Sequence, residues 1–206
     1  MRIDKKQLEI IEQQIQSCTL CVLASTRKTA VPGFGNMNAD IMLIGEGPGY
    51  HEDEQGLPFV GRSGKLLDDL LYSIDLSRDD VYITNVVKCR PPDNRDPKSD
   101  EIESCRTYLD KQINLIDPKV IVTLGRFSMA RWFPGVRISD VHGEAKRFGS
   151  RIIVPMFHPA AALYNPQNRP LLLKDFGRLP KYIDSLNLEQ QGDQESKSTV
   201  EQLNLL

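Results

Sequence analysis

The chain has 206 residues, 40% hydrophobic and 26% charged, and a formal net charge of −2. That is enough chain for one soluble domain with a full core. No apolar run is long enough to cross a bilayer, and a near-neutral balance does not by itself point to nucleic acid. The first residues, Met1-Arg2-Ile3-Asp4-Lys5-Lys6, lack the apolar centre of a signal peptide, so a cytoplasmic protein is expected, and a monomer.

Residues 4–16 carry Leu8, Ile11 and Ile15 at helical spacing and run into Cys18-Thr19-Leu20-Cys21. An irregular stretch follows, and then Asp40-Ile41-Met42-Leu43-Ile44 reads as a buried strand. A second amphipathic helix is predicted from about Ser63, and a second strand over Asp80–Val87. The prolines of Lys88-Cys89-Arg90-Pro91-Pro92-Asp93-Asn94-Arg95-Asp96-Pro97 keep that stretch a loop. A helix over Ser99–Ile116, a strand over Lys119–Gly125 and a short helix through Met129 come next. The fourth strand, Arg151–Met156, delivers Phe157-His158-Pro159-Ala160-Ala161-Ala162-Leu163, and a last helix falls within Asn168–Leu188. Residues 1–188 read as one domain, and the polar stretch Glu189–Leu206 as a disordered tail. Strands alternating with helices predict a parallel sheet covered on both faces.

The most informative stretch lies between the first strand and the next helix, from Ile44 to Gly64. It is rich in glycine, with two prolines and four acidic residues. A long loop at the carboxyl end of a strand in an α/β sheet is where ligands bind. The basic residues Lys88, Arg90, Arg95 and Lys98 cluster in the proline-rich loop, with Arg62 and Lys65 elsewhere. The four cysteines are Cys18, Cys21, Cys89 and Cys105. As thiolates they can bind Zn²⁺ or an iron–sulfur cluster, and their spacing alone does not choose between the two. Either group would tie the N-terminal arm to the loop after the second strand and to the helix beyond it.

Five segments, in order, resemble the uracil-DNA glycosylase superfamily: G-E-G-P-G; E-D-E-Q-G-L-P-F-V-G-R-S-G-K-L-L; Y-I-T-N-V-V-K-C-R-P-P-D-N-R-D-P; V-T-L-G; and H-P-A-A-A-L. The resemblance spans Cys18 to Ile183 and is strongest to the iron–sulfur class, often called family 4. It implies a three-layer α/β/α sandwich around a four-stranded parallel sheet. It also implies a structural [4Fe–4S] cluster on the four cysteines, and uracil-containing DNA, single- or double-stranded, as the partner. The expected activity is monofunctional: hydrolysis of the N-glycosidic bond, releasing uracil and leaving an abasic site.

By the same resemblance, Phe59 stacks on the base and Asn85 reads its edge. An amide offers both an acceptor and donors. It matches the N3–H and O4 of uracil and mismatches cytosine, which costs on the order of a few kcal/mol in a buried site. His158 is expected to donate to uracil O2 as negative charge grows there. Glu46 and Glu52 are the candidates to hold the attacking water. Gly47 stands where related glycosylases with G-Q-D-P-Y carry an Asp. Backbone N–H groups from Gly45 to Gly49 are further candidates to face the base. Arg62, Ser63, Lys88 and Arg90 are candidate DNA contacts, with Leu163 as the wedge that fills the gap left by the flipped nucleotide. Tyr164 stands where the family often has Arg.

Overall fold

The computed structural model describes residues 5–186, so the tail predicted over 189–206 lies outside the described residues. In chain order the elements are α1 (Lys5–Gln16), β1 (Phe34–Gly35), β2 (Ile41–Gly45), α2 (Tyr50–Gln55), α3 (Arg62–Tyr72), β3 (Tyr82–Asn85) and α4 (Ser99–Ile116). There follow β4 (Val120–Leu124), α5 (Arg126–Met129), α6 (Ile138–Val141), β5 (Lys146–Phe148), β6 (Arg151–Met156), α7 (Pro159–Tyr164) and α8 (Asn168–Phe176). Two 3₁₀ turns, Val22–Ser25 and Pro92–Asn94, punctuate the loops.

The sheet has the order β1-β3-β2-β4-β6-β5. The four inner strands are parallel, as predicted. Two short edge strands are added, each antiparallel to its neighbour, so the sheet is mixed and six-stranded. They escape a sequence reading because they are two and three residues long. β5, Lys146-Arg147-Phe148, also carries the charge that blunts a sheet edge rather than an apolar pattern.

The alternation of side chains along β2 divides the core. Met42 and Ile44 face α1 and α4 with Ile11, Ile15, Leu109 and Ile113. Ile41 and Leu43 face α3 and α8 with Leu67, Leu70, Leu71, Leu172 and Phe176. Strands buried on both faces read as unbroken apolar runs, which is why all four inner strands were visible in the sequence. Each fully buried Leu or Ile contributes about 1.5–3 kcal/mol relative to exposure. The helix predicted over 168–188 is broken at Gly177, which caps α8 before a further helical stretch over 179–186.

Register decides where the chemistry sits. Gly45 pairs with Asn85, and Leu124 pairs with Met156. The residues at or just past these pairs, Glu46, Gly125 and His158, therefore gather at one carboxyl edge of the parallel strands.

Candidate active site

A pocket of about 400 Å³ opens at that edge, walled by Glu46, Gly47, Phe59, Asn85, Asn94 and His158, among others. Phe59 comes from the turn between α2 and α3, Asn85 from the end of β3 and His158 from the residue that caps α7, and the fold brings them to one cavity.

Phe59 is held in an uncommon conformation, with φ at 54°. Left-handed backbone at a bulky residue is costly and persists where the surroundings enforce it. Here Arg78 donates to the carbonyls of Pro58, at 2.9 Å, and of Phe59. Gly64 leaves room for the same carbonyl: a Cβ there would lie 1.7 Å from Phe59 O. The ring is 4% exposed and faces that of His158, with centroids 5.5 Å apart and planes at 24°.

Asn85 ends β3 and is 2% exposed, yet its Oδ1 has no hydrogen-bond partner. Buried polar atoms are nearly always satisfied, so an orphan at a pocket wall marks a place for a ligand donor. His158 Nδ1 accepts from Ala160 N at 3.1 Å. That bond leaves the proton on Nε2, making it the donor nitrogen of a neutral ring. Burial pushes the imidazole down to about 4 against an opposing pull from Glu52, so the ring is neutral at pH 7. A neutral N–H donor is suited to an oxygen that gains negative charge.

The two carboxylates differ. Glu52 is buried; its Oε1 accepts from Val60 N and Gly61 N, both at 2.9 Å, and its Oε2 from Gly49 N at 3.1 Å. It braces the Gly-rich loop while still lining the pocket, and it occupies the Gly49 N–H, which is then not available to a base. Glu46 makes no side-chain hydrogen bond among the described residues. Burial raises its carboxyl above the usual range, Asp96 pushes the same way, and Arg126 opposes. Gly47 is required by packing, since a Cβ there would meet Val87 Cγ2 at 2.7 Å.

The rim holds Arg62, which is exposed, and Ser63, which lines the pocket. Arg90 lies 5.2 Å over the ring of Tyr50 and donates to Asn94 Oδ1 at 2.8 Å. Leu163 and Tyr164, at the end of α7, are 38% and 90% exposed. Lys88 is a correction: it is 1% exposed and its ammonium is turned inward, so it is no phosphate contact. Its Nζ donates to Thr84 Oγ1 at 2.5 Å, Gln112 Oε1 at 2.7 Å and Asn85 O at 2.8 Å. Burial pushes it down to about 7, opposed by Cys105 and Cys89. A charged residue in a basic, proline-rich run gives no sequence signal of pointing inward. Arg95 is likewise committed, gripping buried Glu101 through both guanidinium nitrogens at 2.9 and 2.6 Å.

The four cysteines line a second, smaller pocket with Ile15, Leu20, Arg27 and Tyr108. Donors point at the sulfurs: Arg27 Nη1 lies 3.0 Å from Cys89 Sγ, Lys88 N 3.3 Å from Cys105 Sγ, and Leu20 N 3.5 Å from Cys18 Sγ. Such donors suit anionic, metal-bound sulfur. As bare thiols, Cys105 is pushed up to about 11 and Cys89 is raised, both chiefly by burial. A group bound here must therefore displace protons. Among the described residues, no three His, Cys, Asp or Glu side chains already form a site for a single metal ion.

Among known proteins the chain is 48% identical to a type-4 uracil-DNA glycosylase of Sulfurisphaera tokodaii, over 84% of this chain and 83% of that one. It is 47% identical to the type-4 enzyme of Archaeoglobus fulgidus, over 84% and 91%. With that of Thermotoga maritima it shares 41% over 85% and 94%. A family model described as the uracil DNA glycosylase superfamily matches residues 32–180, the span that contains Phe59, Asn85 and His158. With a relative at 48% identity covering most of both chains, this chain belongs to the uracil DNA glycosylase superfamily.

Proposed function

We propose that this chain is a monofunctional uracil-DNA glycosylase of base excision repair. It hydrolyses the N-glycosidic bond of deoxyuridine in DNA, releases uracil and leaves an abasic site. The observation that carries the reading is the orphaned Oδ1 of Asn85 in a pocket bounded by Phe59 and His158.

An enzyme acting on a base draws it out of the stack. Phe59 takes the face of the flipped uracil. Asn85 Oδ1 accepts from N3–H and its Nδ2 donates to O4. Cytosine turns an N3 acceptor and an N4 amine toward the same amide, so both contacts fail. As the glycosidic bond lengthens, the sugar becomes cationic and the electron pair passes into the uracil ring. Nε2–H of His158 donates to O2 as its charge grows, and a preorganised donor of this kind contributes about 3–4 kcal/mol. Glu46 holds the attacking water and takes its proton; its carboxylate faces the sugar side of the pocket in this reading. Arg62, Ser63 and Arg90 contact phosphates around the flipped nucleotide, and Leu163 fills its place in the stack. The substrate is uracil in single- or double-stranded DNA, bound by a monomer.

The four cysteines hold a [4Fe–4S] cluster in this reading. The donors aimed at their sulfurs support it, and so do the type-4 names of the relatives. When bound, the cluster locks the N-terminal arm to α4 and to the loop after β3. Four free thiols kept as ligands fit a reducing cytoplasmic compartment.

The experiment is release of base from oligonucleotides carrying one U, T, hypoxanthine or xanthine, by protein purified with its metal. Uracil release is expected, with alkali-labile abasic product and no strand cut before alkali. An unchanged uracil oligonucleotide would refute the reading.

A further inference from the structure

Behind the base pocket the fold buries a carboxylate paired with a histidine. Asp175, on α8, is 1% exposed, and its chain neighbours Leu172, Phe176 and Leu179 belong to the core. A buried carboxylate is costly unless it is paired and hydrogen-bonded. Here His142 Nδ1–H donates to Asp175 Oδ2 at 2.7 Å, and Arg178 Nη1 lies 3.7 Å from Asp175 Oδ1. Gly143 fits against the same carboxylate with φ at 72°, and a Cβ there would lie 2.1 Å from Asp175 Oδ1. The Gly143 carbonyl accepts from Arg178 Nη1 at 3.0 Å and from Tyr182 Oη at 3.4 Å. The corner His142-Gly143, between α6 and β5, is thus folded tightly onto the C-terminal helices. Packing alone does not call for this, since an apolar side chain at 175 would fill the core without a partner.

The same corner is fastened to the strand that delivers His158. Gly143 N donates to Pro155 O, in β6, at 2.7 Å. The His142 ring lies against that of Phe157, with centroids 4.6 Å apart and planes at 39°. Phe157 immediately precedes His158. From the β4 side, Gly125 N donates to Met156 O at 2.9 Å, and a Cβ on Gly125 would lie 3.1 Å from His158 Cβ. The chain over residues 155–158 is therefore held from both sides, by backbone after β4 and by a ring whose angle Asp175 sets. Neither Asp175 nor His142 lines the base pocket.

We propose that Asp175 and His142 are positioning residues for His158: Asp175 fixes the His142 ring, and that ring holds Phe157, so that Nε2 of the next residue meets the base at O2. Neither residue touches substrate. The link from Asp175 to His158 stands on the contacts above; its effect on uracil release rests on the glycosylase reading. A hydrogen bond to a charged acceptor fixes both the tautomer and the plane of an imidazole. A catalytic donor has to be held within about 0.5 Å of its productive place. A slack ring at Phe157 therefore slows bond breaking and leaves DNA binding intact.

The test is a double-mutant cycle of His142→Asn and Phe157→Leu, on protein purified with its metal. His142→Asn keeps a short N–H donor for Asp175 and removes one ring; Phe157→Leu removes the other. Two quantities are read: single-turnover release of uracil over a range of DNA concentrations, and the imidazole NMR signals of His158, which can be assigned because the chain has three histidines. Each single variant is expected to slow maximal release about tenfold, to leave the half-saturating DNA concentration within about twofold, and to shift the His158 signals. The double variant should lose no more than the larger single loss, because both substitutions break one link. Losses that multiply overturn the proposal, and so do losses that fall on half-saturation rather than on maximal rate. His158 signals equal to wild type in both single variants overturn it whatever the rates. Wild-type release in His142→Asn overturns it as well. If neither variant folds, Asp175→Asn serves, because it keeps shape and an acceptor while removing the charge that fixes the ring. It should slow release several-fold and shift the His158 signals, and wild-type values there overturn the proposal. Wild-type protein that releases no uracil refutes the glycosylase reading, and the His158 signals of the variants still decide the link.

Discussion

Gly45 and Asn85 face each other across the β2–β3 ladder so closely that a Cβ on Gly45 would lie 2.4 Å from Asn85 Oδ1. The same Cβ would meet Phe59 Cζ at 2.7 Å. A single methyl group would thus press on both the edge reader and the face of the pocket. Gly45→Ala is expected to lower kcat/KM for uracil at least tenfold while the folded chain keeps its far-UV circular dichroism, since misplacement by an ångström is enough to cost that much. Asn85→Ala should cost more, on the order of a hundredfold, because it removes both edge contacts. Wild-type kinetics in Gly45→Ala would show that the two side chains do not share the substrate.

His158 links pH to both chemistry and stability. Its folded pKa is depressed to about 4 from 6.5, so between these values the unfolded chain takes up a proton that the pocket refuses. Stability from this residue is complete above pH 6.5 and is lost as pH falls toward 4. Urea midpoints at pH 7 and pH 5 should therefore draw closer together in His158→Gln than in wild type. At pH 7 the same substitution should lower single-turnover uracil release by about 10²–10³, the usual loss for one preorganised donor.

The inner sheet and the helices that cover it were legible because their patterns are long and apolar. The meeting of Phe59, Asn85 and His158 was legible only through resemblance, since periodicity does not bring three distant residues together. What stayed hidden has a common cause. Glu52, Lys88 and Arg95 are charged residues in polar loops, and by composition each belongs on the surface. Glu52 and Lys88 turn inward and Arg95, still partly exposed, turns onto buried Glu101; the groups they satisfy come together only once the chain is folded. Sequence gives the charge of such a residue and not its direction. The left-handed Phe59 is a further case, since its conformation is imposed by Arg78 and by the space at Gly64.

Glu46 sets the acid limb of the pH–rate profile if it holds the water. Its pKa is raised by burial first and by Asp96 second, while Arg126 pulls it down. A base works only when ionised, so uracil release should fall as pH drops through this raised value. Asp96→Asn removes one opposing charge and frees Arg126, which is paired with Asp96. Both effects favour the carboxylate, and the limb should move to lower pH. Glu46→Gln should flatten that limb and slow release at pH 8 by about 10²–10⁴. A limb that stays in place in Asp96→Asn would assign it to another group.

Leu163 and Tyr164 stand exposed at the end of α7, beside the pocket and away from the core. Exposed apolar side chains at a nucleotide pocket matter most where they replace something, and in a duplex they replace a stacked base. Extruding uracil from a duplex costs a few kcal/mol, and an apolar wedge offsets part of that. In a single strand there is less stacking to lose and no partner base to satisfy. Leu163→Ala should therefore slow release from duplex DNA by about tenfold and from single strands by less than about twofold. Tyr164→Ala removes an aromatic face that can stack on a neighbouring base, a contact of about 1–3 kcal/mol open to either substrate, so it should weaken both alike. Single-turnover rates and half-saturation points on matched single- and double-stranded oligonucleotides separate the two side chains. Equal losses from both substrates in Leu163→Ala would mean that Leu163 packs against DNA without entering the stack.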